Sequence, residues 1–167
     1  MVSLVVIVIM GLGMNLITFS LFGDNPLYCQ GAVENANTAR VIYPEWTARF
    51  YVAQDVPEHY IEEIEDYGAE VVRCEKKNSY DGLNWRFRPL HDPDVEYWIS
   101  RDADSRLSWR ERNAVDEWME SDKAAHLLRD CHNHGYTIMA GMFGINNRLF
   151  HKRYGMINLD NINANYR

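Results

Sequence analysis

The stretch Tyr97-Trp98-Ile99-Ser100-Arg101-Asp102-Ala103-Asp104-Ser105-Arg106-Leu107 decides how the rest of the chain is read. A short apolar run ends in two carboxylates one residue apart. The apolar part reads as a buried strand. In an open α/β sheet, ligands bind beyond the carboxyl ends of the strands. Asp102 and Asp104 stand at such an end. Two hard oxygen ligands there can hold Mg²⁺ or Mn²⁺, and the cation can in turn hold a phosphate. If residues 100–104 stay extended, alternate residues share a face and both aspartates point the same way. The competing reading is a solvated turn, since Asp and Ser are frequent turn residues. An isolated Asp-x-Asp does not separate the two.

Upstream, Leu16-Ile17-Thr18-Phe19-Ser20-Leu21-Phe22 is β-rich and ends at Gly23-Asp24-Asn25-Pro26. This predicts a first strand, a turn and a helix start, with Asp24 or Asn25 as cap and Pro26 at the first helical position. Residues 27–42 carry Tyr28, Ala32, Val33, Ala36, Ala39 and Ile42 at helical spacing. Thr47 to Ala53 reads as a second strand. Residues 56–67 read as an acidic amphipathic helix ended by Gly68. Ala69 to Cys74 reads as a third strand. Strand–helix–strand–helix–strand is the signature of a largely parallel sheet, so the fold class is α/β with helices flanking a mixed, mainly parallel sheet.

Between Cys74 and the Asp-x-Asp strand lie a polar loop (76–82) and a helical piece opening on Leu83-Asn84-Trp85-Arg86-Phe87, stopped by Pro89 or Pro93. Downstream, residues 108–119 are expected to form a helix capped by Ser108, residues 125–128 a short strand, and residues 137–145 another. Gly141 and Gly144 fall inside that last segment, and a glycine in a strand often marks close approach of another group. After Phe150 periodicity is lost, and the Asn-rich end is expected to be loose. The organisation expected is an apolar extension (1–13), one compact domain (14–150) and a loose tail (151–167).

The chain has 167 residues, 47% of them apolar and 13% aromatic, enough for one domain with a real core. Its formal charge of −7 argues against nucleic acid as a partner, because that affinity needs phosphate-neutralising Lys and Arg. Cys29, Cys74 and Cys131 are odd in number and widely spaced, which reads as reduced thiols. Residues 2–12 are nearly all apolar, but no positive charge precedes Arg40, unlike a signal peptide. The run reaches a membrane-spanning length of about 20 residues only by absorbing Asn15, Thr18 and Ser20. A cytoplasmic location is expected, with membrane contact through residues 1–13 as the alternative. Cys131-His132-x-His134, near His126, is too tight for a structural zinc site.

Taken together, the first strand and helix start (with Tyr28 and Gly31-Ala32), Trp85-Arg86-Phe87, Arg101-Asp102-Ala103-Asp104-Ser105-Arg106 and Gly141-Met142-Phe143-Gly144 resemble nucleotide-sugar glycosyltransferases of the GT-A fold. The nearest likeness is to small glycosyltransferase-like domains of bacteria and large DNA viruses. The glycogenin type is a more distant likeness, with its early Tyr-x-x-Gly-Ala and later Asp-Ala-Asp. The resemblance covers roughly residues 14–150. It implies Mn²⁺ or Mg²⁺ on Asp102 and Asp104, holding the diphosphate of a UDP- or GDP-sugar. It implies a donor site that includes Ser20, Phe22, Tyr28, Arg86, Arg101 and Asp102. His134, Gly141 and Met142 fall on the acceptor side. Packing in the core is the competing role for Phe22 and Tyr28, and an ion pair is the competing role for Arg86 and Arg101.

The activity implied is metal-dependent transfer of a sugar from a nucleoside-diphosphate donor to an acceptor hydroxyl on an unknown glycan, protein or small molecule. Relatives usually continue past the Gly-rich strand with acceptor contacts and, in inverting members, a catalytic base. Here a short Asn-rich tail follows, so no catalytic base is assigned; nothing places Asp130 near an acceptor. Two alternatives stand beside this reading. One is a phosphohydrolase of the haloacid-dehalogenase type, in which the first Asp of Asp-x-Asp is the nucleophile. Against it, that motif normally opens its domain, and too little chain follows for the family's later motifs. The other is a donor-binding domain without turnover.

Overall fold

The computed structural model describes residues 13–77, 80–129 and 137–156. Its elements are β1 (Met14–Leu21), α1 (Pro26–Ile42), β2 (Thr47–Ala53), α2 (Glu58–Asp66), β3 (Glu70–Cys74), α3 (Asp81–Asn84), a 3₁₀ segment (Trp85–His91), β4 (Val95–Arg101), α4 (Trp109–Met119), β5 (Ala125–Leu127), β6 (Met142–Asn146) and α5 (Asn147–Tyr154). The six strands form one sheet in the order β3-β2-β1-β4-β6-β5. β1 to β4 are parallel, and β6 runs antiparallel to both β4 and β5. The mainly parallel α/β sheet expected from the element order is thus present, with an antiparallel edge.

β1 is central, and Leu16, Ile17, Thr18 and Phe19 are all fully buried. A strand covered on both faces reads as a continuous apolar run rather than an alternating one. Ile17, Phe19 and Leu21 pack with Ala32, Val33 and Ala36 of α1, Ile61 and Ile64 of α2, and Val115 and Trp118 of α4. Phe19 stacks on its register partner Phe50, centroids 4.5 Å apart. The opposite face carries Leu16 with Leu90, Val95, Trp98 and Ile145. The caps follow their chemistry. The Asn25 side chain accepts from the Leu27 N–H (3.0 Å), Ser108 accepts from the Glu111 N–H (3.3 Å), and Gly68 ends α2 at φ +80°.

The structure decides four expectations. Residues 100–104 do not stay extended throughout. The Ser105 N–H donates to the Asp102 carbonyl at 3.2 Å and closes a turn, so strand alternation does not orient the second aspartate. Of the two stops expected, Pro89 lies inside the 85–91 segment, which ends before Pro93. The Pro89 carbonyl accepts from the Asp92 N–H (3.1 Å) and from Asn147 Nδ2 (2.7 Å), which holds the last turn together without a proline N–H. The last strand begins at Met142, not at residue 137, because its partner β4 ends at Arg101, opposite Met142. Gly141 therefore lies in the turn before it. Finally, α5 continues to Tyr154 across the expected boundary at 150, capped by Asn146, which accepts from the Leu149 N–H (2.9 Å). The apolar segment 1–12 and most of the tail lie outside the described residues.

The turn after β4 is held by α1. Asn35 is fully buried. Its Nδ2 donates to the carbonyls of Ala103 (3.2 Å) and Ser105 (2.7 Å), and its Oδ1 accepts from the Leu107 N–H (3.2 Å). One amide thus satisfies three backbone groups of a loop that cannot satisfy them itself. Gly31, one turn earlier, lets the helix come close: a Cβ there would overlap the Ala103 carbonyl. Replacing Asn35 by Ala strands those groups, and each buried polar group left unmet costs about 1–3 kcal/mol. Asn35→Ala is expected to lower the free energy of unfolding by about 2–3 kcal/mol in a denaturant titration. A loss below about 0.5 kcal/mol would show that other contacts hold the loop.

At the antiparallel edge, His126 stands opposite Gly144 and stacks on Trp118, centroids 5.3 Å apart. Burial, with the nearby Arg101 charge adding to it, pushes its pKa down to about 4. The unfolded chain takes up that proton near pH 6.5. A depressed folded pKa means stability is whole above about 6.5 and is lost as pH falls toward 4. His126→Phe keeps the ring and removes the titration. Unfolding free energies measured from pH 7 down to 4.5 should fall more steeply for the native chain than for this variant, and parallel curves would contradict the assignment.

Candidate functional site

The chain starts at β1, moves outward through β2 and β3, then returns past β1 to β4. That reversal opens a crevice between the carboxyl ends of β1 and β4, the place where open α/β sheets receive ligands. Arg86 fills its floor. Thr18 and Ser20 are two residues apart on β1 and so share a face. Thr18 Oγ1 donates to the Arg86 carbonyl at 2.8 Å, and Ser20 Oγ accepts from the Arg86 N–H at 3.1 Å. With its backbone gripped at both ends, Arg86 sends its guanidinium along the sheet edge. Nη1 donates to the Arg101 carbonyl (3.0 Å) and pairs with Asp102 Oδ1. The Arg86 side chain is 8% exposed and that of Asp102 is 40% exposed.

Asp102 is braced from the other side by the turn before β6. Ser100 Oγ donates to the Ala140 carbonyl at 2.6 Å and ties that turn to β4. This lays Gly141 against the Asp102 carboxylate, where a Cβ would overlap it. Asp104 is exposed at the head of the turn. Arg106, next in the loop, pairs with Glu34 of α1 at 2.5 Å. The donor set offered to a cation is therefore a half-exposed and an exposed carboxylate on one turn, which is hard-oxygen chemistry suited to Mg²⁺ or Mn²⁺. Among the described residues, no group of three or more His, Cys, Asp or Glu is placed to hold a metal ion.

The remaining predicted residues divide. Phe22 is half-buried just past β1, its ring pressed onto Gly82 of α3, with the Lys76 ammonium 5.1 Å from its centroid. Tyr28, on the first turn of α1, is 41% exposed and so is not a core residue. Met142 is half-buried and opposes Arg101. Arg101 takes up the ion pair that was its competing role. It alternates with Asp102 along the strand and faces the other way, into the α4 side. There its Nε pairs with Glu111 at 2.5 Å, and Nη1 donates to the Ser100 (2.7 Å) and Phe143 (3.3 Å) carbonyls. It is 3% exposed, and its Nη2 is buried with no hydrogen-bond partner among the described residues. The Tyr43 hydroxyl also reaches Glu111 (3.4 Å), and burial pushes that phenol's pKa up. His134 and Asp130 lie outside the described residues.

Two residues near the site were not expected. Asn35, described above, sets the loop, and no local signal marks a buried helical Asn as a clamp. Asp55, after β2, accepts from the Gly23 N–H (2.8 Å) and from Lys76 Nζ (2.8 Å), joining the turns after β1, β2 and β3. Gly23 takes φ +76° at that junction. Beside it, a recess of about 460 Å³ is lined by Val52, Ala53, Gln54, Arg73, Cys74 and Glu75 at the carboxyl ends of β2 and β3. The polar residues at 54–55 and 75–76 read as ordinary loop in sequence, and only the sheet brings them beside Phe22.

No family model matches the chain, and no curated protein matches it. Solved structures do. A mannosyltransferase from Pyrobaculum calidifontis in complex with GDP-Man and Mn²⁺ aligns with a TM-score of 0.54 at 13% identity, over 86% of this chain and 48% of that one. The galactosyltransferase LgtC, in complex with donor and acceptor sugar analogs, aligns at 0.56 with 14% identity, over 92% and 63%. A 4-diphosphocytidyl-2C-methyl-D-erythritol synthase from Anaerococcus prevotii aligns at 0.51 with 11% identity, over 85% and 74%. The chain thus spans about half the length of the mannosyltransferase and under two thirds of LgtC. With the strand order and the flanking helices, these likenesses show that the chain has a GT-A-like fold, the α/β architecture of nucleotide-sugar transferases.

Proposed function

We propose that this chain is a metal-dependent glycosyltransferase domain that binds a nucleoside-diphosphate sugar at the β1–β4 crevice and transfers the sugar to an acceptor hydroxyl. One observation carries the reading. In a GT-A-like sheet, Asp102 and Asp104 follow the strand beside the topological switch, with a buried guanidinium next to the first carboxylate. Acid and base are thereby paired at one sheet edge, as the recognition of a metal-bound diphosphate requires.

The geometry supports a role for each residue. Asp102 and Asp104 would hold Mn²⁺ or Mg²⁺, which when bound supplies Lewis-acid stabilisation of the departing nucleoside diphosphate. Asn35 keeps the Asp-x-Asp turn closed, and Gly141 leaves room for the first carboxylate. Arg86 aims a guanidinium, whose donor fork suits phosphate oxygens, at the same point. Tyr28 offers an exposed ring to the base, and Phe22 lies beside it with the Lys76 ammonium over its ring. Gly141 and Met142 border the crevice on the acceptor side. UDP- and GDP-sugars are the donor classes proposed. Among the described residues no helix is long and apolar enough to cross a membrane. A dehalogenase-type phosphohydrolase draws no support from this topology, because the Asp-x-Asp strand is the fourth among the described residues and not the first.

Two outcomes test the reading. Thermal unfolding in the presence of UDP- and GDP-sugars should move to higher temperature when Mn²⁺ is added, by mass action on the native state. The gain should vanish in Asp102→Asn and Asp104→Asn. Absence of any Mn²⁺-dependent shift with every donor would sink the proposal. Separately, Gly141→Ala forces the Asp102 carboxylate to move while leaving the core untouched. It is expected to weaken donor binding by roughly tenfold or more, about 1.4 kcal/mol, with little change in the unfolding midpoint. Unchanged affinity in that variant would mean that Asp102 does not touch the ligand.

A further inference from the structure

The charge arrangement around Asp102 carries a consequence for how its ligands bind. Arg86 is buried, 7% exposed, and its guanidinium is only partly satisfied. Nη1 serves the Arg101 carbonyl and Asp102, whereas Nε is buried with no hydrogen-bond partner among the described residues. An arginine cannot shed its proton to relieve this. It cannot readily swing away either, because Thr18 and Ser20 hold its backbone and the side chain is enclosed. The site therefore holds a fixed positive charge in contact with one of its two candidate cation ligands.

We propose that Arg86 couples the two ligands of the site. While no phosphate is present, its charge neutralises Asp102 and opposes a divalent cation approaching the same carboxylate. When a diphosphate enters, its negative charge faces the guanidinium and screens Arg86 from the cation. Cation and nucleotide then raise each other's affinity by the same factor, as linkage requires. The site is a poor cation site when empty and a good one when it holds a diphosphate. This rests on the nucleoside-diphosphate reading above and adds an order of preference: nucleotide first, or nucleotide and metal together.

The diagnostic variant is Arg86→Met, similar in length and without charge. Free Mn²⁺ is followed by its paramagnetic resonance signal, without nucleotide, at fixed ionic strength. UDP and GDP binding is followed by calorimetry with and without Mn²⁺. The coupling predicts effects of opposite sign: Mn²⁺ alone binds the variant roughly five- to tenfold tighter than the native chain, while nucleotide binds it roughly tenfold weaker or worse. A purely structural arginine would weaken both. Mn²⁺ affinity that is unchanged or lower in Arg86→Met, with nucleotide binding intact in the native chain, overturns the coupling and leaves the functional reading standing. Failure of UDP and GDP to bind the native chain even with Mn²⁺ overturns both. Should Arg86→Met lose its cooperative melt, Arg86→Lys decides. It keeps the charge, so it must retain the weak native Mn²⁺ affinity, and several-fold tighter binding there refutes the proposal.

Discussion

The site depends on the grip of β1 on the backbone of Arg86. Thr18 and Ser20 sit on one face of a strand whose other face is core. They are polar residues in a central strand of the sheet, and Thr18 is fully enclosed. A buried hydroxyl needs a partner, and the 3₁₀ segment beside it supplies one at each end of a single residue. That residue is the arginine that meets Asp102. The cost of polar groups in a central strand is thereby offset by the placement of one guanidinium. A segment with little regular structure of its own is anchored where it matters.

The second support is a division of labour along β4. Its even residues, Trp98, Ser100 and Asp102, face the 3₁₀ segment and the turn before β6. Its odd residues, Ile99 and Arg101, face α4. One face thus ends in the part-exposed Asp102 carboxylate and the other in a buried ion pair with Glu111. The Asn35 clamp fastens the turn that follows. The loop's charged groups can then project outward while its backbone stays satisfied. Contacts from three elements, α1, the 3₁₀ segment and the turn at 139–141, converge on residues 100–107. A shift in any one would reach the carboxylate, because packed interiors transmit displacement rather than absorb it.

Much of this was readable from residue pattern. The alternation of strand and helix gave the sheet, Asn25-Pro26 and Ser108 gave the helix starts, and Asp-x-Asp after an apolar run marked the candidate ligand edge. The same period-two rule that pairs Ser100 with Asp102 also separates Arg101 from Asp102. On β4 it turns Arg101 toward α4 and Glu111. The condition that residues 100–104 stay extended failed for another reason. A turn there is held by Asn35, some 70 positions away in sequence, and nothing local announces it. The strand expected from residue 137 was shortened because pairing ends where the partner strand ends.

What the sequence by itself determined is the class of fold and the chemistry available at its edge. Hydrophobic periodicity and the few turn and cap residues are local, and they act over the span of one element. What only the tertiary structure decided is which of those residues meet. Arg86 and Asp102 are 16 positions apart, Asn35 and Ser105 are 70, and Ser20 and Arg86 are 66. Their encounters depend on the order in which strands lie in the sheet, and that order is set by the burial of both faces of β1, not by any signal in the loops themselves.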